Sequence, residues 1–232
     1  MKKQLKKFAL ICVSALCVGT TGVAIAEPLE SVIGLDVHNI GAFLSATENY
    51  FETDDARDSK VTLWAVTFGG ESDISHLAIA DFDSYQEYED TTANQNSSPA
   101  WMAFVNSLPG LLDVKSRLMA VQRFRDGSGW QGHGAMAAFV MTISDPDAYT
   151  AAFREFVASS DNPGSTRLME LRFGGLGATH VVLISAPGSA ALNEYLDELL
   201  SSDEYRVFAG KVNGIRTINN VEMLTRVRSY GN

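Results

Sequence analysis

Cysteine is almost missing from this chain, and the little there is sits in one place. Cys12 and Cys17 both fall in the amino-terminal stretch that reads as a leader, so the remainder has no thiol. That excludes disulfides, cysteine metal sites and thiol nucleophiles, and leaves the core to hold the fold together. Positive charge is scarce as well, with 18 Lys and Arg against 28 Asp and Glu. Such a surface repels phosphate backbones and anionic lipid, so neither nucleic acid nor a membrane surface is expected as a partner. After the leader, no apolar run is long enough to span a bilayer. The chain also lacks a Gly-x-Ser-x-Gly elbow and a His-Glu-x-x-His pair. Its glycine groups join strand to strand, whereas a phosphate loop needs a helix after the glycines.

The leader is read from Lys2, Lys3, Lys6 and Lys7, the apolar run Phe8 to Val18, and the small residues Ala24-Ile25-Ala26. Residues 1–26 are therefore expected to be a signal peptide, with the mature chain starting at Glu27 in a periplasmic or secreted location. Lipidation at Cys17 is the rival reading, but Ser14 stands where a lipoprotein signal carries Leu. Of the 18 basic residues, loss of these four lysines leaves 14 against 28 acidic groups, which deepens the negative charge.

What the chain does have is one hairpin written twice. Val61 to Thr67 leads into Phe68-Gly69-Gly70 and then Ser75-His76, and Thr166 to Arg172 leads into Phe173-Gly174-Gly175 and then Thr179-His180. Around each hairpin the order strand, helix, strand, strand, helix, strand can be traced by apolar spacing. Strands are expected over Val32–Val37, Val61–Phe68, Ile74–Asp81 and Ser116–Arg125, with a helix from Ile40 capped by Asn39. A second helix opens at Asp83-Ser84, breaks over Thr91–Ser98 and resumes at Trp101. Ser98-Pro99-Ala100-Trp101-Met102-Ala103-Phe104 aligns with Ser202-Asp203-Glu204-Tyr205-Arg206-Val207-Phe208. The division is thus a first unit at 27–126, a Gly-rich linker at 127–134, and a second unit at 135–232. The fold class is α+β, two fused ferredoxin-like βαββαβ units packed sheet to sheet.

A strand–glycine turn–strand hairpin followed by a helix bearing Ser-Pro-x-Trp-x-x-Phe resembles the dimeric α/β-barrel superfamily, in tandem-duplicated form. That group includes antibiotic-biosynthesis-type monooxygenases and, more remotely, chlorite dismutases. The resemblance implies two sheets closed into a barrel within one chain, and a pocket between sheet and helices for a small apolar or aromatic molecule. The implied chemistry is that of a cofactor-independent oxygenase or isomerase. Haem binding, with His180 or His76 as axial ligand, is the alternative, although no counterpart of the chlorite dismutase haem-pocket signature is present. A non-catalytic interaction or stress protein is a third reading. No metal site is expected.

Within that frame, His38 and His76 are the candidate acid/base groups, and Trp64, Trp101, His180 and Tyr205 the candidate pocket walls. Each has a structural counterpart reading. His76 and His180 at equivalent positions suit an imidazole tied to the backbone beside the glycine turn, and Trp101 and Tyr205 at helical spacing suit core packing. Along the second strand, Trp64, Val66 and Phe68 are expected beneath the helices. Leu63, Ala65 and Thr67, with their counterparts Leu168, Glu170 and Arg172, are expected between the sheets, where Glu170 would pair with Arg172 or Arg123. No motif fixes the ligand or the oligomeric state.

Overall fold

The computed structural model describes residues 27–57, 59–70, 72–127, 132–160 and 162–231, so the leader and linker residues 128–131 lie outside the described residues. The first unit comprises β1 (Leu29–Val37), α1 (Ile40–Phe51), β2 (Val61–Phe68), β3 (His76–Phe82), α2 (Tyr85–Ser97), α3 (Pro99–Ser107) and β4 (Leu112–Asp126). The second comprises β5 (Ala135–Ile143), α4 (Pro146–Ala158), β6 (Ser165–Phe173), β7 (His180–Ala186), α5 (Ser189–Ser201), α6 (Asp203–Lys211) and β8 (Arg216–Tyr230). None of the described helices is long and apolar enough to cross a membrane.

Side-chain caps set several helix starts. Asn39 Oδ1 accepts the Ala42 amide at 3.1 Å, and Asp145 Oδ1 accepts that of Ala148 at 3.0 Å ahead of Pro146. The expected break over Thr91–Ser98 is not there. α2 runs unbroken through Asn94 and Asn96 to Ser97, and the chain turns at Ser98 alone, whose Oγ accepts the Trp101 amide at 2.9 Å. α2 buries none of its residues, so its asparagines face solvent and need not signal a loop.

Eight antiparallel strands close into a barrel in the order β1-β3-β2-β8-β5-β7-β6-β4. Cut at its two seams, this is β4-β1-β3-β2 joined to β8-β5-β7-β6, the same four-stranded order twice. The seams are made by the longest strands. β4 pairs with β1 through Leu112–Val121 and with β6 through Met119–Asp126, while β8 pairs with β5 through Arg216–Thr225 and with β2 through Met223–Tyr230. Each 15-residue strand therefore serves its own unit with one half and the other unit with the rest. Closure removes the open edges that a lone sheet would expose.

The lumen is a packed apolar plug to which every strand contributes: Val32, Trp64, Ile79, Ala120, Met136, Ala138, Met169, Leu183 and Leu224. Outside, Leu35, Leu63 and Leu112 meet Phe43 beneath α1, and Leu168, Val182 and Ile184 meet Tyr149, Phe153, Leu192 and Phe208 beneath α4, α5 and α6. The two faces of β2 are thus the reverse of the expectation. Trp64 and Val66 point into the lumen and Leu63 lies under the helices, while Phe68 and Phe173 end their strands 68% and 69% exposed. Both faces of such a sheet are buried and apolar, so alternation separates them without saying which is which. Glu170 does bind Arg123 at 2.6 Å and Arg172 at 3.3 Å. These residues lie toward the hairpin end of the helix-side face, where Glu170 stands across the ladder from His180.

Trp64 is fully buried at the centre of that plug. Trp64→Ala is expected to lower unfolding free energy by about 3–5 kcal/mol, measured by urea titration. A loss below about 1 kcal/mol would show that the lumen is not close-packed there.

Candidate functional site

The residues singled out from the sequence do not converge. His76 and His180 sit on the helix-side face, each locked by the hydroxyl before it. His76 Nδ1 is 2.9 Å from Ser75 Oγ, which accepts the Val37 amide at 2.8 Å, and His180 Nδ1 is 2.8 Å from Thr179 Oγ1, which accepts the Ile143 amide at 2.9 Å. This duplicated stitch ties each hairpin to the end of the first strand of its unit. Burial lowers the pKa of both imidazoles, with the Glu170 carboxylate partly opposing it at His180.

Trp101 packs on Tyr50 and Phe104, and Tyr205 on Phe156 and Phe208. Both lie outside the barrel, on the opposite face of the sheet from Trp64, so the three do not line one cavity. His38 is exposed at the end of β1, with Nε2 3.4 Å from Asp113 Oδ2. With Asp36 it makes a group of three whose ligand atoms lie within 4.8 Å of one another. The Lys115 ammonium stands 3.3 Å from Asp36 and 4.0 Å from Asp113, which makes this a surface ion-pair network.

The structure places its charge-bearing cleft elsewhere, at the barrel end away from the two Gly-Gly hairpins. It has a volume of about 320 Å³. Its floor is a set of charges that the sequence reading missed. Glu30 and Asp81 are direct cross-strand partners on β1 and β3, a like-charge pair that is unfavourable alone. Arg167 reaches over β4 from β6 and places Nη1 2.5 Å from Glu30 Oε1 and 3.4 Å from Asp81 Oδ1. Glu30 and Arg167 are each 3% exposed. The intervening strand presents only Ala120 opposite Glu30, where the matching position in the second unit holds Leu224 opposite Met136. That small side chain leaves room for the ion pair. Arg125, Gln122, Lys60, Phe82 and Tyr230 form the walls and rim.

Burial pushes the Glu30 carboxyl up to about 7, helped by the Asp81 charge and opposed by Arg167. Beside this set lies His133, 6% exposed, with Nδ1 2.7 Å from Ser185 Oγ, which in turn donates to the Ser165 carbonyl at 3.2 Å. Burial first, then the charges of Arg226 and Arg167, lower the His133 pKa. A carboxyl near neutrality that touches a cleft can take up and release a proton at physiological pH, which none of the four histidines is placed to do there. Among the described residues lining the cleft there is no histidine.

In the second unit the space between sheet and helices is filled by Tyr149, Phe153, Leu192 and Phe208, all at most 4% exposed, so no haem-sized space lies there.

No protein-family model matches the sequence, and no curated protein matches it either. Solved structures do match in shape. A candidate monooxygenase from Lactobacillus acidophilus superposes with a TM-score of 0.58 at 12% identity, covering 88% of this chain and 96% of that one. One from Fusobacterium nucleatum gives 0.59 at 11%, covering 88% and 94%. A chlorite dismutase variant from Candidatus Nitrospira defluvii gives 0.51 at 10%, covering 87% and 92%. At such identities the likeness is one of fold, and it spans nearly all of each chain.

The Glu30 shift has a thermodynamic consequence. Its folded pKa of about 7 lies above the unfolded value of 4.5, so the folded state holds the extra proton between those limits. Stability attributable to Glu30 therefore falls as pH rises from about 4.5 to 7 and is flat outside that window. Relative to Glu30→Gln, the natural chain is expected to lose up to about 3 kcal/mol across it, followed by urea midpoints at half-unit pH steps. Parallel profiles for the two proteins would show that Glu30 is not perturbed.

Proposed function

We propose, for a chain that has the dimeric α/β-barrel fold in fused form, that it is an exported small-molecule-binding protein whose working end is the cleft over Glu30, Asp81 and Arg167. The export half of this reading is supported by the basic, apolar and small-residue segments of the leader. The binding half rests on one observation: two neighbouring carboxyls and a buried guanidinium are held at the floor of an open cleft, although apolar residues would pack that barrel end more cheaply.

The reaction class that suits this arrangement is cofactor-independent proton transfer, as in an isomerase. Glu30, kept protonated near neutrality by burial and by the Asp81 charge, is the proton donor, and Arg167 fixes both carboxyls in place. A carboxyl that titrates near 7 then takes a proton back with little driving force lost. Substrate enters at the rim formed by Lys60 and Arg125, and Phe82, Met169 and Tyr230 supply apolar contact for its body. His38 and His76, some distance away at the strand ends and hairpin, have no part in this step.

The test uses solvent deuterium exchange into a panel of small α-keto acids and cyclic enones, alongside thermal shift with the same compounds. Glu30→Gln is expected to cut exchange by about 100-fold or more, while His38→Ala and His76→Ala leave it unchanged. Thermal shifts without exchange would remove the enzyme and keep the binding protein. Loss of exchange in His76→Ala but not in Glu30→Gln would move the site back to the hairpin.

A further inference from the structure

The cleft has a second pair of like charges facing the first. Arg125 on β4 and Arg167 on β6 are direct ladder partners, just as Glu30 and Asp81 are on β1 and β3. Both guanidinia border the same cleft. Arg167 is buried with its Nη1 turned to the two carboxyls, whereas Arg125 is exposed at the rim. From these placements, and resting on the reading of this cleft as a ligand site, we infer that it takes a small organic carboxylate with an apolar body, gripped by Arg125, and that this ligand binds together with a proton on Glu30.

The charge count explains the coupling. With Glu30 ionised, the two carboxylates balance the two guanidinia and an incoming anion gains little. With Glu30 protonated, one positive charge is left over, and it is the guanidinium of Arg125 that faces solvent. Arg125 responds to these neighbours: partial burial and then the Arg167 charge lower its pKa, and Asp81 and Glu30 raise it. The remaining ionisable groups around Glu30 do not upset the count. Lys60 and Asp83 at the rim lie 3.7 Å apart and offset one another, and the Tyr230 phenol is held neutral by burial. His133 is pushed toward its neutral form by burial and by the charges of Arg226 and Arg167.

The choice of a carboxylate over a bare inorganic anion follows from the walls. A planar carboxylate matches the two parallel N–H donors of a guanidinium. Leu29, Phe82 and Met169 would meet an apolar body, and their side chains offer a sulfate or phosphate no donors.

The experiment is isothermal titration of the mature chain with benzoate at pH 6 and pH 8, in buffers of different ionisation enthalpy, with benzyl alcohol, benzylamine and inorganic phosphate as comparison probes. Benzoate is expected to bind at least about tenfold more tightly at pH 6, with net proton uptake, and Arg125→Gln to weaken it about tenfold or more while Arg125→Lys weakens it less. Glu30→Gln should hold the pH 6 affinity at both pH values. Benzoate binding that ignores Arg125, or that releases protons, overturns the inference. Binding of benzyl alcohol or benzylamine with benzoate refused also overturns it, yet leaves the cleft a ligand site. Phosphate binding as well as benzoate removes the organic carboxylate as the class. If no probe binds, the reading of the cleft falls with it.

Discussion

The constraint on which this structure depends is that each four-stranded sheet is apolar on both faces and has helices for only one. The face carrying Trp64 and Met169 must be covered by something, and in this chain it is covered by the other sheet. The two seams, β2 with β8 and β4 with β6, turn that packing into a closed ring of hydrogen bonds. Covalent fusion makes closure intramolecular, so the barrel does not depend on chain concentration as a two-chain version would. It also releases the two halves from being identical.

That release is visible in the lumen. Glu30 pairs with Asp81 across one ladder, and the equivalent ladder of the second unit pairs Met136 with Ser185. Arg167 occupies the place that Thr62 has in the first unit, since both precede a buried Leu and a lumen residue, Trp64 or Met169, in matching register. Carboxylates are thus kept by one half and the guanidinium by the other. A barrel of two first units would bury four carboxyls at that end with no buried cation, and the reverse pairing would bury two guanidinia without an acid. Such an ion pair contributes little net stability over apolar packing, and pairing like halves would leave its charges unbalanced.

Much of the fold was legible because it is repetitive. The doubled Phe-Gly-Gly and Ser/Thr-His groups gave the hairpins, and β2 and β5 ended where apolar alternation ends. The helix break in α2 was misplaced, because asparagine on a helix without a buried residue looks like asparagine in a loop. The cleft was harder to read for a specific reason. The first strand was expected over Val32–Val37, so Leu29, Glu30 and Ser31 fell outside it and Glu30 was not singled out. Read with β1 starting at Leu29, Glu30 shares a face with Val32, and an acid on an apolar lumen face is itself a signal. Arg167, two residues before Met169, carries the same signal on β6. Histidines drew the eye instead, although three of the four are tied to a neighbouring hydroxyl.

The duplicated features and the unduplicated ones therefore divide the labour. What appears in both units, the Ser75 and Thr179 stitches and the Ser98 and Ser202 caps, holds backbone in place, since each is repeated with the same partner and nearly the same distance. What appears in only one unit has no such reason to exist. Glu30, Asp81 and Arg167 are among the positions where twofold symmetry fails inside the barrel at the cleft end, and Glu222, whose counterpart is Leu118, is a comparable departure toward the hairpin end. Burial raises the Glu222 pKa, and Asn220 is its hydrogen-bond partner at 3.0 Å. The first of these departures opens on a cleft of molecular size that also carries a guanidinium at its rim, which is why the chemistry is assigned there.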